Sequence, residues 1–365
     1  MLQPLELDRT LVAETDAQVR EIESQISKLE EQVAALKGSI SVLHAAKEPA
    51  QQRLDSYKYP VLSLANEIIT DIFLHFLPTY PEPPPLLGPL SPTVLTHICR
   101  QWREIALTTP LLWRAIDLRT PRLSVTGAAS LAPLWLERSG CLPLSIRATD
   151  AGGFSSVLPN LIPHRARFEL LDLKLRDVKG SAKVLDGPSP LLRTLNVSLS
   201  EGGLSPPLLL PGHNLPRLCT VVLFEDQSSP SFTLPWSQLT SLTLSLDFAN
   251  CISVLRQTQT LLADLPLLCL KSLVLGLYGS ACVQLLGLLF TPALRRLELR
   301  EDCLDTTDPI SSLNSFILKS GCTLDELRIA KASVHADVYY KAFPSISIAV
   351  LRSVEKPYLA HHCFR

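Results

Sequence analysis

Leu294-Arg295-Arg296-Leu297-Glu298-Leu299 places apolar side chains at its first, fourth and sixth positions, with charged ones between them. Alternate side chains of a strand point to the same face, so Leu297 and Leu299 can be buried together while Glu298 faces outward. The spacing recurs at Trp113/Ile116/Leu118, Cys141/Leu144/Ile146, Phe168/Leu171/Leu173, Leu192/Leu195/Val197 and Leu218/Val221/Leu223. It continues at Leu239/Leu242/Leu244, Leu270/Leu273/Leu275, Leu324/Leu327/Ile329 and Phe343/Ile346/Ile348. Ten copies predict ten short strands. Between copies, residues 251–262 and 281–289 carry the apolar period of helices. A strand–helix unit of this kind cannot bury its own apolar face, but a stack of them can. The expected architecture is therefore α/β, with a solenoid of short strands over residues 121–365 ending near Val350. The residues lying between apolar pairs, which face outward, include Asp172, Asn196, Val222, Thr243, Val274, Glu298 and Arg328. Their mixture of signs and apolar types suits a protein surface and not a polyanion.

The copies resemble leucine-rich repeats, with irregular separations and mostly without the Asn or Cys that usually follows the strand in that family. The resemblance implies a parallel sheet on the concave side of an arc, its outward residues lining a partner surface.

Over residues 19–43 the apolar positions step by threes and fours. Val19, Ile26, Val33 and Ile40 take the a positions of a heptad, and Ile22, Leu29, Leu36 and Leu43 take d. β-branched a residues with mostly Leu at d favour a parallel two-stranded coil, so a homodimer through residues 1–56 is an expected assembly. The g positions Gln18, Gln25, Gln32 and Ser39 are uncharged and supply no g-to-e ion pairs. The alternative is a long amphipathic helix packed on its own chain. Pro49 is expected to end or kink the helix, because an interior proline loses a hydrogen bond and clashes with the preceding turn.

Two further segments frame the remainder. Leu64, Glu67, Ile68, Ile72, Phe73 and Leu77 lie in the first, and Cys99, Trp102, Ala106, Pro110, Leu111 and Trp113 in the second. Ile68, Ile72, Phe73 and Leu77 make a helical stripe wide enough to serve both a core and a partner groove. In order and spacing, residues 57–120 resemble an F-box interrupted at 78–92, with Ala65 where the family usually has proline and Ser63 available as an N-cap. The resemblance implies a three-helix module that docks a Skp-type adaptor of a cullin–RING ubiquitin ligase. The residues it assigns to that contact are Leu64, Ala65, Ile68, Ile72, Phe73, Leu77 and Trp102, while the distal domain holds the protein to be ubiquitinated. The prolines at 78, 81, 83, 84, 85, 89 and 92 exclude helix or central strand and predict an extended, partly solvated loop, either a spacer or a Pro-rich ligand.

Composition excludes several other functions. Lys and Arg number 34 against 35 Asp and Glu, a net charge of -1 without a basic cluster, so neither nucleic acid nor an anionic membrane surface is an expected partner. The first six residues lack a signal-peptide pattern, and no uncharged apolar run approaches the ~18 residues of a spanning helix. A cytoplasmic or nuclear protein, not a secreted one, is expected, and the sequon Asn196-Val197-Ser198 is then coincidental. Nine cysteines without a CxxC pair read as reduced thiols, not as a disulfide framework or a zinc site. No nucleophile elbow, His-Glu-x-x-His or phosphate-cradling loop is present, and His361-His362-Cys363 cannot alone build a closed metal site. The chain is therefore expected to be non-catalytic and to need no cofactor. The rival to the ligase adaptor is a scaffold, a coiled-coil dimer displaying a leucine-rich arc beside a vestigial F-box.

Overall fold

The computed structural model describes residues 3–56, 60–119, 125–149, 154–175, 184–199, 208–209, 213–225, 232–245, 267–276, 286–287, 289–305 and 307–351. It divides into two compact units, Met1–Ala65 and Asn66–Arg365.

The first unit is dominated by helix α1, Gln3–Ser56, whose 54 residues at 1.5 Å per residue run about 80 Å. Pro49 lies inside it and does not end it. The last turn is held by local bonds, Gln51 Nε2 to Asp55 at 2.9 Å and Ser56 Oγ to the Arg53 carbonyl at 2.9 Å. All eight seam residues are exposed, from 48% at Val33 to 69% at Leu43.

The second unit holds ten strands in one sheet: β1 Ala115–Asp117, β2 Leu144–Thr149, β3 Phe168–Leu175, β4 Thr194–Leu199, β6 Thr220–Glu225, β8 Ser241–Ser245, β9 Ser272–Leu275, β10 Arg296–Arg300, β11 Glu326–Ala330 and β12 Ser347–Leu351. Neighbours pair in chain order and every pairing is parallel. A separate parallel pair joins β5, Leu208–Leu209, to β7, Phe232–Thr233. Ile116, Ile146, Leu171, Leu195, Val221, Leu242, Leu273, Leu297 and Leu327 stand side by side across the sheet, and each is fully buried. The pattern's ten copies thus correspond to ten strands, with two corrections of register. Ile146, not Leu144, aligns with Ile116 and Leu171, and Ile348, not Ile346, aligns with Leu327. A displacement of two residues keeps the face, which is why the pattern accommodated it.

A recurrent turn precedes the strands. The N–H of Leu192, Leu218, Leu239, Leu270 and Leu294 donates to the carbonyl three residues earlier, at Ser189, Leu215, Trp236, Leu267 and Thr291. Pro190, Pro216 and Pro292 occupy the second position of three of these turns, where a fixed φ is already correct. The helical pattern at 251–262 lies outside the described residues, as does most of 281–289, of which Leu286 and Gly287 are helical.

Ahead of the sheet come α2 Asn66–Phe76, α3 Pro92–Leu95 and α4 Arg100–Leu107, followed by a turn at Pro110–Leu112. Cys99 caps α4 by accepting from the Trp102 N–H at 3.4 Å. Trp113 Nε1 donates to the Ala106 carbonyl at 2.8 Å, and the Trp113 ring meets Trp135 of α5, Val125–Arg138, edge-on at 5.2 Å. These contacts join the helices to the sheet's first layer.

The proline segment is partly solvated, with Thr79 and residues 87–90 exposed, but it is also held to the sheet. Pro83, Pro84, Leu86 and Pro92 are buried, and the segment lies against the outward face of the first strands. Ser145 Oγ donates to the Pro81 carbonyl at 2.6 Å, Tyr80 donates to Glu169 at 2.7 Å, and Pro85 makes a parallel bridge with Asp117. Residues 78–92 form a strap over β1 to β3.

Candidate functional site

Helix α2 presents two different apolar pairs. Ile69 and Phe73 are fully buried, and the Phe73 ring meets Trp102 of α4 at 4.9 Å with an interplanar angle of 65°. Ile68 and Ile72, one residue earlier in each turn, are 49% and 42% exposed. Residues four apart share a helix face, so the two pairs define an inner and an outer stripe. Leu107 at the end of α4 and Leu111 in the following turn are also exposed. Leu77 and Trp102 are half-buried; in the first unit, Leu64 is half-buried and Ala65 exposed. Among the sequence-derived contact residues, then, Ile68 and Ile72 offer surface, whereas Phe73 is internal because Trp102 consumes its ring.

Beside α2 lies a cavity of about 460 Å³ lined by Leu74, Leu77, Pro78, Tyr80, Leu111 and Arg114 among others. The Arg114 guanidinium stacks 3.6 Å from the Tyr80 ring centroid. Burial, and then Glu169, push the Tyr80 phenol well above its ordinary range, so it remains a donor.

The outward face of the sheet is one continuous row. Asp117, Arg147, Asp172, Asn196, Val222, Thr243, Val274, Glu298, Arg328 and Ala349 align strand by strand, so all seven sequence-derived positions come together. Their exposure differs along it. At the β1 end Arg147 makes a two-bond pair with Glu82 of the strap, at 2.5 and 3.0 Å, and a third bond to Asp172 at 2.8 Å. Burial works against the Arg147 charge, but Glu82 and Asp172 outweigh it. Asp172 is thereby tied into the strap's contacts. At the centre Val222 is 2% and Thr243 6% exposed, which corrects the expectation that these two are available to a partner. Beyond them the row opens at Val274, Glu298 and Arg328, all half-buried. Glu326 accepts from Arg328 at 2.7 Å and pairs with Arg296 at 2.6 Å; burial raises its carboxyl, and the two arginines more than reverse that.

Sequence reasoning missed Arg147 and the strap's hold on it. The contact links Glu82 to a residue 65 positions away, and no local pattern signals such a pairing. Among the described residues no group of three or more His, Cys, Asp or Glu is placed to hold a metal ion, and no helix is long and apolar enough to cross a membrane. The six described cysteines are free thiols, while the His361-His362-Cys363 tail lies outside the described residues. No family model matches the chain, and no curated protein matches it.

Proposed function

We propose that this chain is a non-catalytic substrate-recognition adaptor of a Skp–cullin–F-box type ubiquitin ligase. Residues 57–120 are read as an F-box-like domain that docks a Skp-type adaptor, and the ten-stranded sheet as a degenerate leucine-rich solenoid that holds a target protein. The supporting observation is the outer stripe of α2. Ile68 and Ile72 stay 49% and 42% exposed beside the core that Ile69 and Phe73 build with Trp102, and they fall where the F-box resemblance assigns contact with the adaptor. Exposed isoleucines paired on one helix turn are the anchors that a helix-in-groove contact uses. The target is assigned to the β9–β11 end of the outward row, since the strap occupies the other end. A cytoplasmic or nuclear location accords with this role.

The test is affinity capture of the full chain from a lysate, followed by mass spectrometry. A Skp-type adaptor is expected with the parent chain and is lost from Ile68→Asp/Ile72→Asp. Equal recovery from the two chains contradicts the docking face.

The exposed heptad seam of α1 favours a second reading, a scaffold that self-associates without a ligase. The same capture separates the two, because a scaffold brings down no Skp-type adaptor from either chain.

A further inference from the structure

Among the described residues, helix α1 carries the longest run of exposed apolar side chains. Between residues 19 and 43 every a and d position is apolar, and each is roughly half exposed or more. Val12, at the preceding a position, is 58% exposed, with Thr15 at the d position between it and Val19. Helices in water owe most of their stability to packing of an apolar stripe and little to propensity. A 54-residue helix with its stripe uncovered therefore lacks the interaction that holds such helices.

We propose that a second copy of this chain covers the seam, forming a parallel two-stranded coil over residues 12–43. The layer chemistry selects the occupant. In a parallel, in-register pair each a layer sets a β-branched residue against itself, at Val19, Ile26, Val33 and Ile40. Three of the four d layers set Leu against Leu, and the remaining one pairs Ile22 with itself. β-branched a with Leu d is the combination that specifies two strands. The flanks agree with this register. The g residues Gln18, Gln25 and Gln32 fall beside Glu23, Glu30 and Lys37 at the e positions of the second copy, so no like charges meet. The area is sufficient as well. Eight side chains exposed by 48% to 69% on each helix offer on the order of 1,500 Å² in a pair, within the roughly 1,200–2,000 Å² of stable complexes. Such a dimer carries two copies of the α2 outer stripe and two outward sheet rows, so on the function proposed above it would present two sites each to adaptor and target.

The test uses the full chain in sedimentation equilibrium at micromolar concentration. A mass of two chains is expected. Ile26→Glu/Val33→Glu is expected to weaken association by at least about 100-fold, through two charges forced into the seam. Ser27→Glu/Ala34→Glu, on the opposite side of the same turns, retains the dimer. The thermal transition of the sheet is expected to be the same in all three, which separates loss of association from loss of fold. A monomeric parent chain, a mass of three chains or more, or an unchanged mass for Ile26→Glu/Val33→Glu overturns the proposal. Strand direction is read by oxidising Val19→Cys and Leu43→Cys chains alone and mixed, against the parent chain as background. Self-linked Val19→Cys is expected, and linkage confined to the mixed pair overturns the parallel order.

Discussion

Helix α1 and the ten-stranded sheet are both written in the sequence as repeating apolar positions, and the two patterns end differently. In the sheet every residue from Ile116 through Leu327 in the aligned row is fully buried, whereas in the helix no seam residue from Val19 to Leu43 is less than 48% exposed. The difference lies in what the chain supplies next. Each strand is followed in sequence by another of the same pattern, so its edge and its apolar face are completed within the molecule. A single heptad helix has no second helix of its kind in the described residues, so its seam stays exposed. The outer stripe of α2 is a smaller exposed surface of the same kind, since the fully buried face of that helix is Ile69 and Phe73.

The sharpest way to break this contrast is to remove equal amounts of apolar surface from both regions. Leu242→Ala in the sheet is expected to cost about 2–5 kcal/mol in urea unfolding of the second unit, from lost burial and the cavity left behind. Leu29→Ala in the seam is expected to leave that transition unchanged and to alter only its association. Equal losses in the two variants would dissolve the distinction.

A second test concerns how the sheet's far end is closed. Glu301 is 6% exposed and accepts from the Tyr339 hydroxyl at 2.6 Å, from the N–H of Val334 at 3.2 Å, and from the N–H and hydroxyl of Ser333. Burial raises its carboxyl, but these donors outweigh burial and hold it below its ordinary value of 4.5. A lowered folded-state value means that the stabilisation is complete above pH 4.5 and is lost as the pH falls through the lower, folded value. Glu301→Gln is expected to cost about 1–3 kcal/mol at neutral pH, because its amide hydrogens oppose those donors. Urea midpoints across an acid series should fall for the parent chain and stay flatter for the variant; parallel curves would remove Glu301 from the closure.

A smaller effect is expected between the two regions. Cys99→Ala removes the cap on α4 and is expected to lower stability by about 0.5–1 kcal/mol, seen as a shift of a few degrees in the thermal midpoint. No shift would mean that the Trp102 N–H finds water equally well.

Much of this was legible in the sequence, for a definite reason. Apolar positions that return at the period of their own secondary structure, as in Leu294/Leu297/Leu299 or in the seam, report a local geometry. The aligned row of Asp172, Asn196, Val222, Thr243, Val274, Glu298 and Arg328 followed from the same alternation. What the pattern could not supply was register at the ends, where Cys141 and Phe343 open equally good copies two residues out of step. It also could not place the strap. Seven prolines forbid regular structure over 78–92, but only Ser145, Arg147 and Glu169, far along the chain, determine that the segment lies on the sheet. Pro49 does not end α1, since one missing hydrogen bond is outweighed by the helix on either side of it.

The claim at the centre of this account is that apolar surface left open by the chain is meant for another polypeptide, and α2 tests it most directly. Titration calorimetry of a purified Skp-type adaptor into the full chain should give saturable binding that Ile68→Ala/Ile72→Ala weakens by roughly 10- to 100-fold, about 1.4–2.8 kcal/mol, with the thermal midpoint unchanged. Unaltered affinity in that variant, or no binding by the parent chain, would contradict it.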